Sequence, residues 1–552
     1  MKLLLYCLAA LTGLYCSCTT PSAQPDTVYR NAKIWTGDPN QPWASCLALQ
    51  GNTLVYVGND TALYSNPQIR QIDLGEKLVV PGFIDNHTHF LLGGYELNAV
   101  NFHSAKSPGD FIHTLQTYCA QYDDDRWILG GSWDHESWGG ALPETSWIDS
   151  VCGDHPVFVS RYDGHMAFAN SKALQMAGVT AATPDPQGGT IVRNKKGEPT
   201  GVLKDEAMSL IQSVIPSPTE KELNERFIRA QEHALEQGIT QVHDMGGYGG
   251  WMDLTTYQRN EREKQLKMRI YAFMPLATWS KLDSFCRQNG KGNDQLRWGG
   301  LKGFVDGSLG STTAWFYQPY LDAPNNYGLT ITDTTALREE ILLADKAGLQ
   351  VTVHAIGDRA NDYLLQSYEK AVKENGERDR RFRIEHAQHL SSAALTRFAA
   401  QQVIPSMQPY HAIDDGRWAN KRLEEDRLSR SYAFSTLLRS GATLTFGSDW
   451  MVAPLDALQG IYAAVTRRTL DDRHPQGWFP EQKLTVEQAL RCYTTNNAFA
   501  GFQEKKLGML RKDFLADFVV LSDDIFTIPP ENIREAYVLR TIVDGKEVYL
   551  KK

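Results

Sequence analysis

The sequence has few cysteines relative to its length, and they do not form a recognisable pattern. Eight cysteines occur in 552 residues, and three of them lie within the first 18 residues. The other five are scattered, none is part of a C-x-x-C pair, and an odd number at uneven spacing is not typical of a disulfide framework. We therefore predict mostly small buried apolar side chains at Cys46, Cys119, Cys152, Cys286 and Cys492.

Positive charge and long apolar segments are also scarce. The formal net charge is −9 and no basic patch is evident, which disfavours nucleic acid as a partner. Hydrophobic residues make up 42% and charged residues 22%, as in ordinary soluble globular proteins. We find no internal repeat or low-complexity segment, and the length favours two or three domains.

The only extended apolar run begins the chain. Residues 3–14 follow Lys2, are too short to span a bilayer as a mature helix, and fit a secretory signal. Ser17-Cys18 is similar to the end of a bacterial lipobox, although Tyr15 departs from its usual aliphatic residue. We predict a signal peptide with lipobox at 1–18, export, and a lipid anchor on Cys18 in a bacterial cell envelope as the sole membrane contact. Cys16 is the weaker lipidation candidate, and plain secretion is the alternative.

Short β-strand patterns occur near both ends of the chain, and strands alternate with helices between them. Residues 26–80 and 503–552 are predicted to form one composite β-sandwich, with a hairpin turn at Asp544-Gly545. Residues 81–94 and 218–502 contain eight candidate strands, at 79–85, 239–243, 269–274, 301–306, 349–354, 382–386, 403–408 and 443–449. This alternation predicts an α/β fold with a (β/α)8 barrel, whose functional groups gather at the carboxyl ends of the strands.

One connection is too long for a barrel. The segment between His89 and Ile239 far exceeds an ordinary strand-to-helix loop. We predict an inserted lid domain at 95–217, after the first barrel strand and on the active-site face. A capping box at Thr219 and Glu222 and a stop at Gly238 delimit the next helix.

The chemistry is carried by polar residues at strand ends. His87 and His89 are one residue apart, so they can point to the same side of a strand and bind one divalent metal ion. Two surface histidines in a turn are the alternative for this pair considered alone. Four further strand ends carry Lys302, His354, His386 and Asp449. Imidazole and carboxylate suit zinc, which would activate a water molecule while Asp449 takes its proton.

The motifs resemble those of the amidohydrolase superfamily, most closely its family 3, which includes N-substituted formamide deformylases. The similar stretches are 81–89, 163–165, 306–311, 354–359, 383–388 and 447–450. The resemblance implies that His87, His89 and Asp449 bind the more buried of one or two Zn²⁺ ions, and that His354 and His386 bind a second ion. It also implies a carbamate on Lys302 that bridges two ions. The alternative is a salt-bridged lysine in a one-metal site.

Catalysis is assigned to Asp449 and His386, and a further set of residues is predicted to contact substrate: Asp163, His165, Asp306, Gln408, Tyr410 and His411. For Asp163 and His165 a local turn is the alternative. His389 is interpreted as a residue that supports the metal ligands without binding the metal itself, and His243 as structural or pocket-lining.

We therefore predict a metal-dependent hydrolase that cleaves a non-peptide C–N bond of a small-molecule amide or formamide by metal-activated hydroxide. One alternative is a ring deaminase or an N-acyl amino acid hydrolase of the same superfamily. Another is a non-catalytic metal-binding surface lipoprotein. The sequence leaves open a homodimer, the substrate and the identity of the metal.

Overall fold

The computed structural model describes residues 25–60, 68–122, 124–161, 166–186 and 189–552. The predicted signal peptide and anchor at 1–18, and the predicted substrate residues Asp163 and His165, lie outside these ranges. Within the described ranges no helix is both long enough and apolar enough to cross a membrane.

Eight parallel strands form the predicted barrel. In chain order they are Phe83–Thr88, Ile239–Asp244, Arg269–Pro275, Leu296–Phe304, Gln350–Ala355, Arg383–His386, Ile404–Met407 and Thr445–Phe446, and each pairs with the next. The eighth strand is only two residues long. Backbone hydrogen bonds close the ring instead, because Asp449 N donates to His87 O at 2.8 Å and His89 N donates to Trp450 O at 2.6 Å. The barrel therefore closes beside three of the predicted metal ligands.

The first predicted strand is two strands in the structure. Leu78–Pro81 belongs to a sheet at the chain ends, and only Phe83–Thr88 enters the barrel. Gly82 lies at the break, where a Cβ atom would come within 2.3 Å of Thr240 Oγ1. The hydrophobic pattern runs through this position without interruption, so it could not show the change of sheet.

Helices follow the barrel strands, as the alternation predicts. They are Phe90–Asn98, Glu220–Glu236, Trp251–Arg262, Trp279–Asn289, Thr334–Lys346, Asp358–Asn375, Ala394–Ala400, Pro409–Asp415, Glu425–Leu428, Phe434–Arg439, Ala457–Thr466, Val486–Tyr493 and Thr495–Ala500. The predicted capping box is present, with Thr219 and Glu222 each bonded to the other's backbone. Leu223, Phe227 and Ala230 lie on the buried face of that helix, at the three- and four-residue spacing of a helix that packs on a sheet.

Both chain ends contribute strands to one six-stranded sheet. Its order is Lys546–Leu550, Val538–Val543, Phe518–Leu521, Leu78–Pro81, Lys33–Trp35 and Trp43–Ala44. A second sheet is made of the amino-terminal strands Thr53–Gly58, Cys46–Gln50, Thr27–Arg30 and Arg70–Asp73. The predicted hairpin turn is present, because Asp544 and Gly545 both have positive φ, at 54° and 73°.

The insertion has a six-stranded sheet of its own. The order is Gly189–Arg193, Pro199–Asp205, Met166–Ala169, Val157–Arg161, Ile128–Trp133 and Val100–Asn101, with helices Pro108–Cys119, Ser171–Met176 and Ser209–Gln212. Arg126 of the insertion forms an ion pair with Glu225 of the barrel helix Glu220–Glu236, at 2.7 Å between Nη1 and Oε2. Whether it covers the metal-binding face as a lid stays a prediction.

The prediction of unpaired cysteines was wrong for two of the five. Cys119 and Cys152 form a disulfide with their Cα atoms 5.4 Å apart. They lie 33 positions apart, on a helix and on a loop that meet only in the folded insertion, so their spacing along the chain gave no signal. Cys492 is free and buried, Cys286 is free and half-buried, and Cys46 is buried.

Candidate metal centre

Three predicted ligands converge at the point where the barrel closes. Asp449 Oδ1 lies 3.4 Å from His87 Nε2 and 3.4 Å from His89 Nε2. A tetrahedral zinc ion with ligands at about 2.0–2.1 Å separates them by about 3.3–3.4 Å. His87 is completely buried and Asp449 is 7% exposed. The two distances to Asp449 therefore suit one divalent ion, and all three ligand atoms lie within 4.8 Å of one another.

Each predicted histidine ligand has one ring nitrogen bound to an oxygen atom. The pairs are His87 Nδ1 with Glu385 Oε2 at 2.5 Å, His89 Nδ1 with Gly246 O at 2.7 Å, His386 Nδ1 with Gln408 Oε1 at 2.8 Å, and His354 Nε2 with Gly307 O at 3.0 Å. A carbonyl or carboxylate oxygen accepts, so the bonded nitrogen carries the proton. The other nitrogen then keeps its lone pair for a metal ion.

Burial keeps three of these rings neutral. It lowers the pKa of His87 to about 4 and that of His354 to about 3, and it holds the pKa of His386 well below the ordinary value. His89 differs, because burial lowers its pKa but the hydrogen bond to Asp449 outweighs burial and leaves the pKa raised. A metal ion between His89 and Asp449 would take the place of that shared proton.

Asp449 is an ionised carboxylate in a strained backbone position. Burial alone would raise its pKa, but His87, His89 and His386 outweigh burial and hold the pKa well below the ordinary range. Its φ is 61°, and His386 has a φ of 71°, both in the left-handed region that non-glycine residues rarely adopt. Strain of this kind concentrates at functional sites, where the surrounding structure must hold it.

Lys302 lies inside the cluster. Its Nζ atom is 3.2 Å from His87 Nε2, the nitrogen that faces the metal position, and the side chain is buried. Burial lowers the pKa of Lys302 to about 8. A substantial share of the amine is therefore uncharged in mildly alkaline solution, which is the form that can react with carbon dioxide.

A second group of possible ligand atoms also includes Asp449. His386, His411 and Asp449 each place a ligand atom within 4.8 Å of the other two. His354 packs its ring edge-on against His386, at 4.4 Å between ring centroids. The described part of the chain contains two groups of three possible ligand side chains, namely this one and the group of His87, His89 and Asp449. His354 belongs to neither group.

Glu385 is a candidate functional residue that the sequence analysis did not identify. Besides His87, its carboxylate accepts hydrogen bonds from Ser406 Oγ at 2.6 Å, from Arg383 Nε at 2.8 Å and from the Thr352 hydroxyl. Burial raises its pKa, but Arg383 and His87 outweigh burial, so the pKa stays well below the ordinary value. The signal was an acid directly before His386, inside an apolar strand, where a charge needs partners.

The remaining predicted substrate residues have different surroundings. Asp306 is fully buried, and its oxygens accept backbone N–H bonds from Trp315, Ile356 and Gly357, so it positions two loops. Gln408 is buried and orients His386. Tyr410 and His411 are half-buried at the start of helix Pro409–Asp415, directly after the seventh strand.

Apolar side chains lie exposed next to the cluster. Phe304 ends the fourth strand, is 38% exposed, and places its ring centroid 5.4 Å from that of His354. Met451 and Val452, at 37% and 66% exposure, follow Asp449 directly. Exposed apolar groups that flank a polar cluster are typical of a small-molecule site.

A parallel barrel with a His-x-His first strand and an aspartate after the last strand defines a metal-dependent hydrolase of the TIM-barrel type. The amidohydrolase family profile matches residues 70–549. The chain belongs to the amidohydrolase family, as its motifs predicted.

Three relatives describe its place among known proteins. The chain is 39% identical to Protein LONG AFTER FAR-RED 3 of Arabidopsis thaliana, over 95% of this chain and 91% of that protein. It is 25% identical to the N-substituted formamide deformylase of Arthrobacter pascens, over 94% and 97% of the two chains. A crystal structure of an uncharacterized metal-dependent hydrolase from Pyrococcus furiosus superposes with a TM-score of 0.77 at 29% identity, covering 91% of this chain and all of that one.

Proposed function

We propose that this hydrolase cleaves the C–N bond of small-molecule amides, formamides included, that carry an apolar substituent. The observation that carries the proposal is that four histidines each have one ring nitrogen hydrogen-bonded to an oxygen atom. They are His87, His89, His354 and His386. This arrangement presents neutral lone pairs to a divalent ion beside an ionised aspartate. The similarity to the formamide deformylase of Arthrobacter pascens supports a carbonyl substrate.

The chain's own residues divide the work of the reaction. A bound divalent ion, most simply Zn²⁺, would be held by His87, His89 and Asp449, and would supply Lewis acidity and an acidified water. The Asp449 carboxylate accepts the proton of the attacking water and returns it to the departing nitrogen. Phe304, Met451 and Val452 line the approach and bind the apolar substituent away from bulk water.

Lys302 is proposed to carry a carbamate when a second ion is bound. An unmodified amine 3.2 Å from His87 Nε2 competes with the metal for that lone pair. A carbamate would replace the competing amine with an anionic oxygen ligand. Mass spectrometry under native conditions, with and without bicarbonate, would reveal the added mass of one carbon dioxide.

A metal and substrate survey tests the function. The purified protein is stripped with chelator, reloaded with Zn²⁺, Mn²⁺ or Co²⁺, and assayed against N-benzylformamide, N-acetylated amines, N-acyl amino acids and an aminopurine. We expect metal-dependent release of amine from formamides or simple amides. Preference for the purine would establish the deaminase alternative, and preference for N-acyl amino acids would establish the acylase alternative. Absence of metal binding would leave a non-catalytic role.

We also propose that the protein is exported and lipid-anchored through Cys18, with small-molecule amides as partners and no nucleic acid. The disulfide between Cys119 and Cys152 supports an oxidising compartment. The Cys18→Ser variant should move from the membrane to the soluble fraction, with Cys16→Ser as the matched control. Unchanged fractionation of Cys18→Ser would exclude this anchor.

A further inference from the structure

We propose that His411 is a protein ligand of the second metal ion, together with His386 and Asp449. This inference rests on the proposed metal-dependent function and specifies its second site. It differs from the pattern that the strand-end motifs predict, in which His354 and His386 provide the histidine ligands of that ion. His411 would otherwise serve only to contact substrate.

The position of His411 follows from the end of the seventh strand. Ile404–Met407 ends at the metal face, Gln408 follows, and His411 is the third residue of helix Pro409–Asp415. The same short segment therefore provides Gln408, which holds the Nδ1 proton of His386, and His411, whose ring is nearly parallel to that of His386 at 6.3 Å between centroids. Asp449 places a carboxylate oxygen within 4.8 Å of a ring nitrogen of each of the two histidines.

The distances suit one ion. Ligand atoms of His386, His411 and Asp449 lie within 4.8 Å of each other. Two ligands of one zinc ion are about 3.3 Å apart at a tetrahedral angle and about 4.2 Å apart when opposite, from bond lengths of about 2.1 Å. Small rotations of the side chains would therefore bring all three atoms into coordination.

The Nε2 atom of His411 is buried and has no hydrogen-bond partner. A buried polar atom without a partner is costly, so its presence at a polar cluster indicates a ligand. Asp415 does not pair with it; its Oδ2 atom accepts instead from Tyr432 Oη at 2.6 Å and from Gln388 Nε2 at 2.8 Å. By contrast, His389 has both ring nitrogens paired, with Ser431 Oγ at 2.6 Å and Gln388 Nε2 at 3.0 Å.

His354 fits a different role in this arrangement. Its Nε2 donates to Gly307 O, and its ring packs edge-on against His386 beside Phe304. It lies outside both three-ligand groups of the described chain. His354 packs against the ring of His386, and because its Nδ1 keeps a lone pair, its contribution to the second ion has to be separated from that of His411 by measurement.

Metal titration of four proteins tests the assignment. Metal-free wild type, His411→Gln, His354→Gln and the control His389→Gln are titrated with Co²⁺, and stoichiometry and Kd are measured by visible absorption and elemental analysis. Circular dichroism and thermal melting of the metal-free proteins establish that each variant folds. We expect two ions in wild type and control, and an affinity for the second ion that is weaker by about tenfold or more in His411→Gln. Binding of the first ion should be unchanged.

The outcomes separate this inference from the proposed function. Loss of the second ion in both His411→Gln and His354→Gln would support His411 and add His354 as a further ligand. Unchanged binding in His411→Gln, with loss in His354→Gln, would overturn the inference and return His411 to a substrate contact. Binding of a single ion by the wild type would also overturn the inference on His411, while the proposed function would stand as that of a one-metal hydrolase. No ion in wild type would overturn the proposed function itself.

Discussion

At the scale of single residues, each histidine nitrogen of the candidate metal centre depends on the group that is hydrogen-bonded to the opposite nitrogen of the same ring. The most heavily connected of these groups is Glu385, whose carboxylate is shared by His87, Ser406 and Arg383. It fixes the Nδ1 proton of His87 and raises the electron density at Nε2. Removal of the Glu385 charge should therefore change the affinity for the metal ion even though the ligand residues stay the same.

Glu385→Gln should weaken binding of the first ion by about 10- to 100-fold, the usual effect of a changed partner behind a histidine ligand. The amide keeps the shape but lacks the negative charge. The Kd for Zn²⁺, measured by competition with a chelator, checks this. Gln408→Glu is the comparison variant, because it places a negative charge beside His386 Nδ1 instead. An unchanged Kd in Glu385→Gln would limit this residue to holding the strand.

Asp449→Asn should lower kcat by about 10²- to 10⁴-fold, because the amide cannot accept the proton of the attacking water. Steady-state kinetics on metal-saturated protein measure the effect, with metal content determined on the same sample. Near-normal kcat in a fully loaded variant would assign the general base to another residue.

The candidate ligands could be predicted from the sequence, and their metal binding stays a prediction, whereas the residues that hold them could not be predicted. His87, His89, His386 and Asp449 each follow an apolar strand, so the carboxyl end of the barrel could be inferred to collect them. The bond from Glu385 to His87 joins positions 298 residues apart, and the grouping of His411 with His386 depends on how one helix begins. Neither follows from spacing along the chain.

At the scale of elements, the junction of the first and eighth strands sets the geometry of the site. A Cβ atom on Gly447 would lie 2.6 Å from His87 N, 2.7 Å from Asn86 Oδ1 and 2.8 Å from Asp85 Oδ1. Asp85 in turn accepts from the backbone N–H groups of His87 and Ser448. The glycine lets the two strands approach closely enough for Asp449 to meet both histidines.

Gly447→Ala should lower the free energy of unfolding by about 1–3 kcal/mol through overpacking, and should weaken metal binding. Urea denaturation and metal titration measure the two effects. Gly310→Ala is the control, since its Cβ would meet only Trp418, at 3.7 Å. Equal behaviour of the two variants would show that the junction adapts to the added methyl group.

The order of elements was largely predictable, while their exact limits and cross-links were not. Alternating apolar strands and helices predicted the barrel, and Thr219 with Glu222 marked a helix start correctly. The change of sheet at Gly82 and the disulfide between Cys119 and Cys152 arise from contacts between distant segments. No local sequence pattern predicts those contacts.

At the scale of the whole molecule, buried neutral histidines link stability to pH. Burial, with a smaller contribution from Arg427, lowers the pKa of His389 to about 3, whereas the unfolded chain has the ordinary value near 6.5. Below pH 6.5 the unfolded state binds a proton that the folded state does not. The stabilisation is therefore complete above pH 6.5 and is lost as the pH falls toward 3.

His389→Gln should remove this one contribution. Between pH 7 and pH 5 the wild type should lose about 2 kcal/mol more unfolding free energy than the variant, in metal-free protein. Urea denaturation at pH 5, 6 and 7 measures the difference. His103→Gln, at an exposed position in the insertion, should keep the wild-type slope. Parallel pH dependence of His389→Gln and wild type would show that His389 titrates normally.

The sheet shared by the two chain ends has a consequence for biosynthesis. Leu78–Pro81 leads directly into the first barrel strand, yet one of its partners is Phe518–Leu521, which is made much later in translation. Until then a nascent chain exposes an apolar strand edge, and such edges promote aggregation. Pairing of this edge must therefore wait for Phe518–Leu521, and chains released before that strand is made are expected substrates for chaperones and proteases.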